Sequence, residues 1–322
     1  MKLVVQIPCL DEAETLPATL RDIPRTIEGI DSVEILVIDD GSNDGTAAVA
    51  RANGADHVIS FPRNRGLGHA MRAGFDRALA LGADIVVNTD GDNQYFGGDV
   101  AALVAPILAG QADIVIGDRQ TGAIAHFSPI KRRLQRFGSR VISRLAGVDV
   151  PDVASGFRAY NRTAVLTLVN HTGFDHTVEH TIQAGHRQLT IVSVPVRTNP
   201  KARESRLFGS VWEFVARSGA ISLRTWAMYK ALEIFSLFAA IAFAGGFLIG
   251  VRFLYYFASG RGELHVQSLI LAAILILAAF QMFLTGVVAD LIATNRALLE
   301  DALRRVRELE LAGGRTKGEP WT

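Results

Sequence analysis

Residues 234–251 and 266–289 contain no charged side chain. As a helix, each is long enough to cross about 30 Å of hydrocarbon. A soluble core for a chain of 322 residues does not hide two such runs with so few polar faces, so both are expected to span a membrane rather than to lie as core helices. The loop between them, residues 258–267, carries a single basic residue, Arg261. Arg217, Arg224 and Lys230 precede the first run, and Arg296, Arg304, Arg305 and Arg307 follow the second. Because basic residues are retained on the cytoplasmic side, both termini and the whole chain before the first span are expected in the cytoplasm, beneath a cell inner or plasma membrane. Residues 208–230 mix Trp212, Phe214, Trp226 and Met228 with Arg217 and Arg224, as interfacial amphipathic helices do. The expected division is therefore a soluble domain at 1–207, interfacial helices at 208–230, two spans within 231–293 (about 232–257 and 266–290), and a cytoplasmic charged helix with a disordered tail at 294–322. Ala244, Gly245, Gly246 and Gly250 in the first span would let a second helix approach closely, including one from a second copy.

The first two-thirds of the chain reads differently. Short apolar runs at residues 3–7, 34–38, 57–60, 84–88 and 113–117 alternate with amphipathic stretches near 13–26, 68–81 and 100–109 and from about 46. Further strands are expected at 152–160 and 189–196. Strands that are apolar throughout, each followed by a helix, predict an α/β domain with a mostly parallel sheet covered on both faces. Ligands of such sheets bind at the carboxyl ends of the strands. A net charge of +1 gives no concentrated basic surface for nucleic acid. The single cysteine, Cys9, cannot close an intramolecular disulfide, which agrees with a reducing compartment. The opening MKLVVQIP is too short an apolar run for a signal peptide.

Acidic and glycine-rich residues stand where those strands end. Asn88-Thr89-Asp90-Gly91-Asp92-Asn93-Gln94 follows the run 85–87. Its alternate carboxylates supply hard oxygen ligands for Mg²⁺ or Mn²⁺ while leaving positions for phosphate oxygens. Asp39-Asp40-Gly41-Ser42-Asn43-Asp44-Gly45-Thr46 follows the run 34–38. There the glycines permit a tight turn, Asp44 or Thr46 can cap the next helix, and the adjacent aspartates can accept hydrogen bonds from a nucleobase edge or a ribose. Residues 128–136 carry Lys131, Arg132, Arg133 and Arg136 beside apolar residues, a pattern suited to anionic headgroups and a phosphate.

Taken with Ile7-Pro8-Cys9-Leu10-Asp11-Glu12, Asn64-Arg65-Gly66-Leu67-Gly68 and Ser155-Gly156-Phe157-Arg158, this succession resembles the family-2 inverting glycosyltransferases of GT-A fold. Within them it is most similar to the branch of dolichyl-phosphate mannose synthases and polyprenyl-phosphate glucosyltransferases, some of which carry their own membrane spans. The resemblance covers roughly residues 2–210. It implies that Pro8, Glu12, Asp39, Asp40 and Arg206 bind the nucleotide-sugar. Asp90, Asp92 and Gln94 would hold the metal and diphosphate. Arg119, Arg133, Arg136 and Ser139 would meet the acceptor phosphate, with Asp90, Asp92 and Arg119 carrying catalysis. The chain departs from the family pattern at Leu10, where an aromatic is common, at Leu67, where a lysine is common, and at Asp118, where a small residue is usual. The implied activity is inverting, metal-dependent transfer of a hexose from a nucleotide-sugar, with a UDP-hexose preferred to GDP-mannose, to an undecaprenyl or dolichyl phosphate.

Two other readings are open to the same residues. His176-Thr177-Val178-Glu179-His180 fits an inverted zinc-peptidase pattern on a helix, which would make the chain a metallohydrolase. A growing polysaccharide could replace the lipid acceptor, as in processive synthases of the same fold, but those use more spans and a Gln-x-x-Arg-Trp motif that Arg224-Thr225-Trp226 does not supply.

Overall fold

A computed structural model describes residues 1–119, 138–140, 142–144, 146–168, 176–200, 231–261 and 266–314. The chain divides into two units, Met1–Arg217 with Leu303–Thr322, and Ser218–Ala302. The expected interfacial helices at 208–230, the tail beyond residue 314 and the basic segment 128–136 lie outside the described residues.

In the first unit the described strands are β1 (Lys2–Cys9), β2 (Ser32–Asp39), β3 (His57–Ser60), β4 (Ile85–Asn88), β5 (Ile114–Asp118), β6 (Arg158–Asn161) and β7 (Ile191–Pro195). They form one seven-stranded sheet in the order β3-β2-β1-β4-β6-β5-β7. All neighbours are parallel except β6, which runs antiparallel to both β4 and β5. The strand at 152–160 is shorter than expected: residues 152–157 form the loop that enters β6, with Phe157 packed in the core beneath the sheet.

The helices are α1 (Leu16–Asp22), α2 (Thr46–Ala52), α3 (Leu67–Ala80), α4 (Val100–Leu108), α5 (Arg162–Thr167) and α6 (His176–His186). Alternate residues of a strand face opposite sides, and β1 shows it. Leu3, Val5, Ile7 and Cys9 join a core with Leu16 and Leu20 of α1, Ala50 of α2 and Leu103 of α4. On the other side Gln6 meets α3, where a Cβ on Gly74 would lie 2.3 Å from its Oε1. Both faces of β1 are thus covered, which is why its seven residues from Leu3 to Cys9 are buried without a polar stripe.

Gly41 shows how closely the loops above the sheet approach each other. Its φ is 77°, and a Cβ there would come within 2.4 Å of the Arg63 carbonyl carbon and 2.5 Å of the Asn64 nitrogen. Backbone cannot withdraw as a flexible side chain can. Gly41→Ala is therefore expected to cost about 1–3 kcal/mol of stability through strain and overpacking, read as a lowered thermal midpoint, whereas Gly45→Ala, with open space at its Cβ, should cost less.

The second unit holds α7 (Ala231–Ala258) and most of α8 (Val266–Gly314). Two stretches, Leu232–Ala258 and Val266–Leu311, are long and apolar enough to cross a membrane. Large apolar side chains such as Phe238, Phe247, Leu254, Leu277 and Phe280 are exposed on them, the distribution expected where lipid rather than protein covers a helix. The two helices meet at small residues: a Cβ on Gly246 would lie 2.9 Å from Ile276 and 3.0 Å from the Ala272 carbonyl. The charged stretch from residue 294 is not a separate helix. It continues α8 without a break, because the change from apolar to charged composition includes no glycine or proline to stop it.

Candidate active site

Parallel register brings the ends of β1, β2 and β4 to one edge, with Cys9 beside Asp39 and Gln6 beside Asn88. The loops that leave these strands are stitched together by backbone donors and short polar side chains. The Asp11 amide donates to Ser42 Oγ at 2.9 Å, the Glu12 amide to Thr46 Oγ1 at 2.9 Å and the Ala13 amide to Asp44 Oδ2 at 3.0 Å. Asp11, in the left-handed region at φ 52°, accepts in return from the Asn43 amide at 2.9 Å. Burial opposes the charge on Asp44, but hydrogen bonds from the Thr46 hydroxyl and from the Ala13 and Thr46 amides hold its carboxyl below the ordinary range.

Asp39 and Asp40 are both buried, and each is partly committed to the loops. Asp39 Oδ1 accepts from the Ser42 amide at 3.0 Å. Asp40 accepts from the amides of Arg65 and Gly66, both at 2.8 Å. Asp40 therefore anchors the Asn64–Gly66 turn, a structural duty that sequence alone did not reveal, beside any contact its remaining lone pairs make with a nucleotide. Pro8 is buried within β1. Glu12 Oε2 accepts from Thr15 Oγ1 at 2.8 Å, and that hydroxyl also reaches the Gly91 carbonyl at 2.9 Å.

Asp90, Asp92 and Gln94 are half-buried on the loop after β4. Gly91 brings that loop down onto Cys9, where a Cβ would meet the sulfur at 2.7 Å. The Cys9 thiol registers the charge gathered there: burial first, then Glu12, Asp39, Asp90 and Asp44, push it well above its ordinary value. Such an accumulation of negative charge around a dry strand end fits a hard divalent cation. Among the described residues there is no group of three or more His, Cys, Asp or Glu side chains that could hold a metal ion by itself. Two carboxylates with an amide oxygen are the kind of incomplete set that a diphosphate would complete.

Gly156 closes the floor beneath Asp90, since a Cβ on it would lie 3.2 Å from Asp90 Oδ1. The Asn88 side-chain amide donates to the Gly156 carbonyl at 2.8 Å, and the Gly156 amide donates to Tyr95 Oη at 3.0 Å. Arg158, fully buried, donates to the carbonyls of Ser155 at 2.8 Å and Val153 at 2.6 Å, so its charge is spent on shaping this loop. Arg119, one residue beyond β5, is forked onto Asp152 at 2.7 Å through Nε and 2.9 Å through Nη2. Burial works against the Arg119 charge. Tyr95, Asp152 and Asp90 outweigh it, and the guanidinium is held above its already high ordinary value.

Of the residues expected at the acceptor phosphate, Arg119 stands at the site edge near Asp90. Ser139 is buried, with its hydroxyl accepting from the Val153 amide at 3.3 Å, so in this state it supports the Asp152 loop. Arg133, Arg136 and Arg206 lie outside the described residues. His176 and His180 stand ring to ring at 5.5 Å, and His180 Nδ1 is 3.2 Å from Tyr160 Oη, with Phe75 stacked on the same ring. They are core residues of α6. Asp152 and Tyr95 are the positions that sequence reasoning missed, and Arg158, quoted there only as part of a motif, was given no role.

A mostly parallel sheet with acidic loops gathered at one edge after β1, β2 and β4 defines the GT-A-like class of folds. Residues 4–168 match the family model described as glycosyl transferase family 2, and the chain belongs to that family. It is 33% identical over 221 residues to the polyprenol monophosphomannose synthase of Mycolicibacterium smegmatis, an alignment covering 65% of this chain and 82% of that one. It is 29% identical over 312 residues to glycosyltransferase AglJ of Haloferax volcanii, covering 94% and 96%. Glucosyl-3-phosphoglycerate synthase from Mycobacterium tuberculosis, solved with Mn²⁺, uridine diphosphate and glucosyl-3-phosphoglycerate, shares the fold at a TM-score of 0.54 and 22% identity, over 70% of this chain and 78% of that one. Family membership sets aside the metallopeptidase reading of His176, Glu179 and His180.

Proposed function

We propose that this protein transfers a hexose from a nucleotide-sugar to a polyprenyl phosphate of the undecaprenyl or dolichyl type, with inversion at the anomeric carbon. The reaction takes place at the cytoplasmic face of a membrane that residues 231–293 span, with both termini in the cytoplasm. The observation that carries this reading is Arg119, a half-buried, permanently charged fork beside the acidic loop of Asp90, in a chain that also bears two membrane-length apolar helices. The name of the Mycolicibacterium relative supports the same acceptor class.

The chemistry asks little of the protein beyond placement and charge. A polyprenyl phosphate is an anion near neutral pH, so its oxygen can attack the anomeric carbon without a protein base. The new carbon–oxygen bond forms as the bond to the nucleoside diphosphate breaks, on the opposite face of the ring. Arg119, with Arg133, Arg136 and Ser139 nearby in the family pattern, would hold the phosphate by charge-assisted hydrogen bonds and orient it in line. Pro8, Glu12, Asp39, Asp40 and Arg206 would seat the nucleotide. Asp90, Asp92 and Gln94 would hold Mg²⁺ or Mn²⁺, which supplies Lewis-acid stabilisation of the departing diphosphate.

The resemblance favours a UDP-hexose over GDP-mannose as donor, while the Mycolicibacterium relative is named for mannose transfer, so both donors enter the test. The full chain in detergent, given Mn²⁺, a short polyprenyl phosphate and either UDP-glucose or GDP-mannose, should form a lipid-linked sugar from one donor and stop on addition of EDTA. Release of free sugar alone, or no product from a wider donor panel, would overturn the proposal.

A further inference from the structure

The loop that carries Asp92 and Gln94 has a second attachment, to the segment that leaves β7. Phe96 donates its amide to the Arg197 carbonyl at 3.2 Å, and the Asn199 amide donates to the Gln94 carbonyl at 2.8 Å. Between them Tyr95 and Thr198 form an antiparallel bridge. The Asn199 side-chain amide reaches the Asn93 carbonyl at 3.1 Å, Asn93 Oδ1 at 3.3 Å and the Tyr95 carbonyl at 3.4 Å. One nitrogen thus spans the residue between Asp92 and Gln94 and the one after.

Asn93 is where this loop needs support. Its φ of 55° lies in the left-handed region, which asparagine tolerates better than most residues but which is held only by surrounding contacts. With Asn93 in that conformation, Asp92 Oδ1 turns back to accept from the Gln94 amide at 3.0 Å. Release of Asn93 would allow Asp92 and Gln94 to separate.

We propose that Asn199 is a positioning residue for the cation and diphosphate site: it holds Asn93 left-handed and so keeps Asp92 and Gln94 at the separation that a divalent cation on a nucleoside diphosphate requires. This rests on the assignment of Asp90, Asp92 and Gln94 given under Proposed function. Neighbouring Arg197 braces the segment by stacking its guanidinium 4.2 Å over the Phe96 ring and pairing with Asp99.

The test uses Asn199→Asp, which keeps size and shape but replaces the donating amide by an oxygen that repels the carbonyls it faces. In the full chain in detergent, Mn²⁺ binding is followed by electron paramagnetic resonance with UDP and, in parallel, with GDP. Affinity for Mn²⁺ should fall by about tenfold or more, the usual consequence of losing an outer-shell support. Amide exchange across residues 92–96 should rise, and KM for the polyprenyl phosphate should stay the same. Asn199→Ala should behave alike; if it fails to fold, the aspartate variant carries the decision. Unchanged Mn²⁺ affinity and exchange in Asn199→Asp, with Mn²⁺ binding lost in Asp92→Ala, would overturn the role of Asn199 alone. Mn²⁺ binding that survives Asp92→Ala, or that is absent from the unaltered protein with either nucleotide, would overturn the underlying site assignment and this inference with it.

Discussion

Asp90→Asn is expected to reduce sugar transfer by about 10²–10³-fold, the loss typical of removing one group that stabilises charge developing on a leaving group. The substitution is nearly isosteric. That matters because the Asp90 carboxylate lies where a Cβ on Gly156 would stand only 3.2 Å from its Oδ1, and a larger side chain would disturb the loop as well as the charge. Asparagine keeps an oxygen near the same place but supplies no negative charge to a cation. Asp92 should separate into two effects. In Asp92→Asn the side-chain oxygen can still accept from the Gln94 amide, so only the charge is lost. In Asp92→Ala the turn is released too, and activity should fall further. Initial rates of lipid-linked sugar formation, with thermal midpoints within a few degrees of the unaltered protein, are the measurement. Rates for Asp90→Asn within a few-fold of the unaltered protein would remove Asp90 from the mechanism.

What the sequence disclosed and what it concealed divide along contact range. Asp39, Asp40, Asp90 and Asp92 were legible because each closes or follows an apolar strand, and parallel strands deliver their carboxyl ends to one edge whatever their order. The pairing of Arg119 with Asp152, 33 positions away, was not. It exists only because β6 inserts antiparallel between β4 and β5, so the loop entering β6 passes the end of β5. Nothing in the local pattern of residues 152–160 marks that reversal, or separates the loop at 152–157 from the strand that follows it. Asn199 stands 106 positions from Asn93, equally beyond any periodicity. Asp40 illustrates a third limit. Its residue type and its place at a strand end point to a ligand, yet its two oxygens first satisfy the amides of Arg65 and Gly66, a demand set by the turn that folds above the strand end.

Arg119 carries the second large effect, and its partner makes the outcome separable from misfolding. Asp152 occupies Nε and Nη2, which makes Nη1 the nitrogen to be offered to an anion. Arg119→Ala should lower kcat/KM for the polyprenyl phosphate by about 10²-fold or more with little change in nucleotide binding. It also takes the Arg119 fork away from the Asp152 carboxylate, 2% exposed, and breaking a buried pair from one side costs about 3–5 kcal/mol. A loss of activity in that variant alone is therefore ambiguous. The double variant Arg119→Ala with Asp152→Asn also neutralises the carboxylate that faced Arg119 and should recover much of the stability while transfer stays low. Arg119→Lys keeps the positive charge but not the fork, so it should hold the fold and still raise KM for the acceptor, because an ammonium cannot serve Asp152 and a phosphate together through a rigid plane. If the double variant regains both stability and transfer, Arg119 serves only the fold, and the acceptor phosphate must be held by other residues.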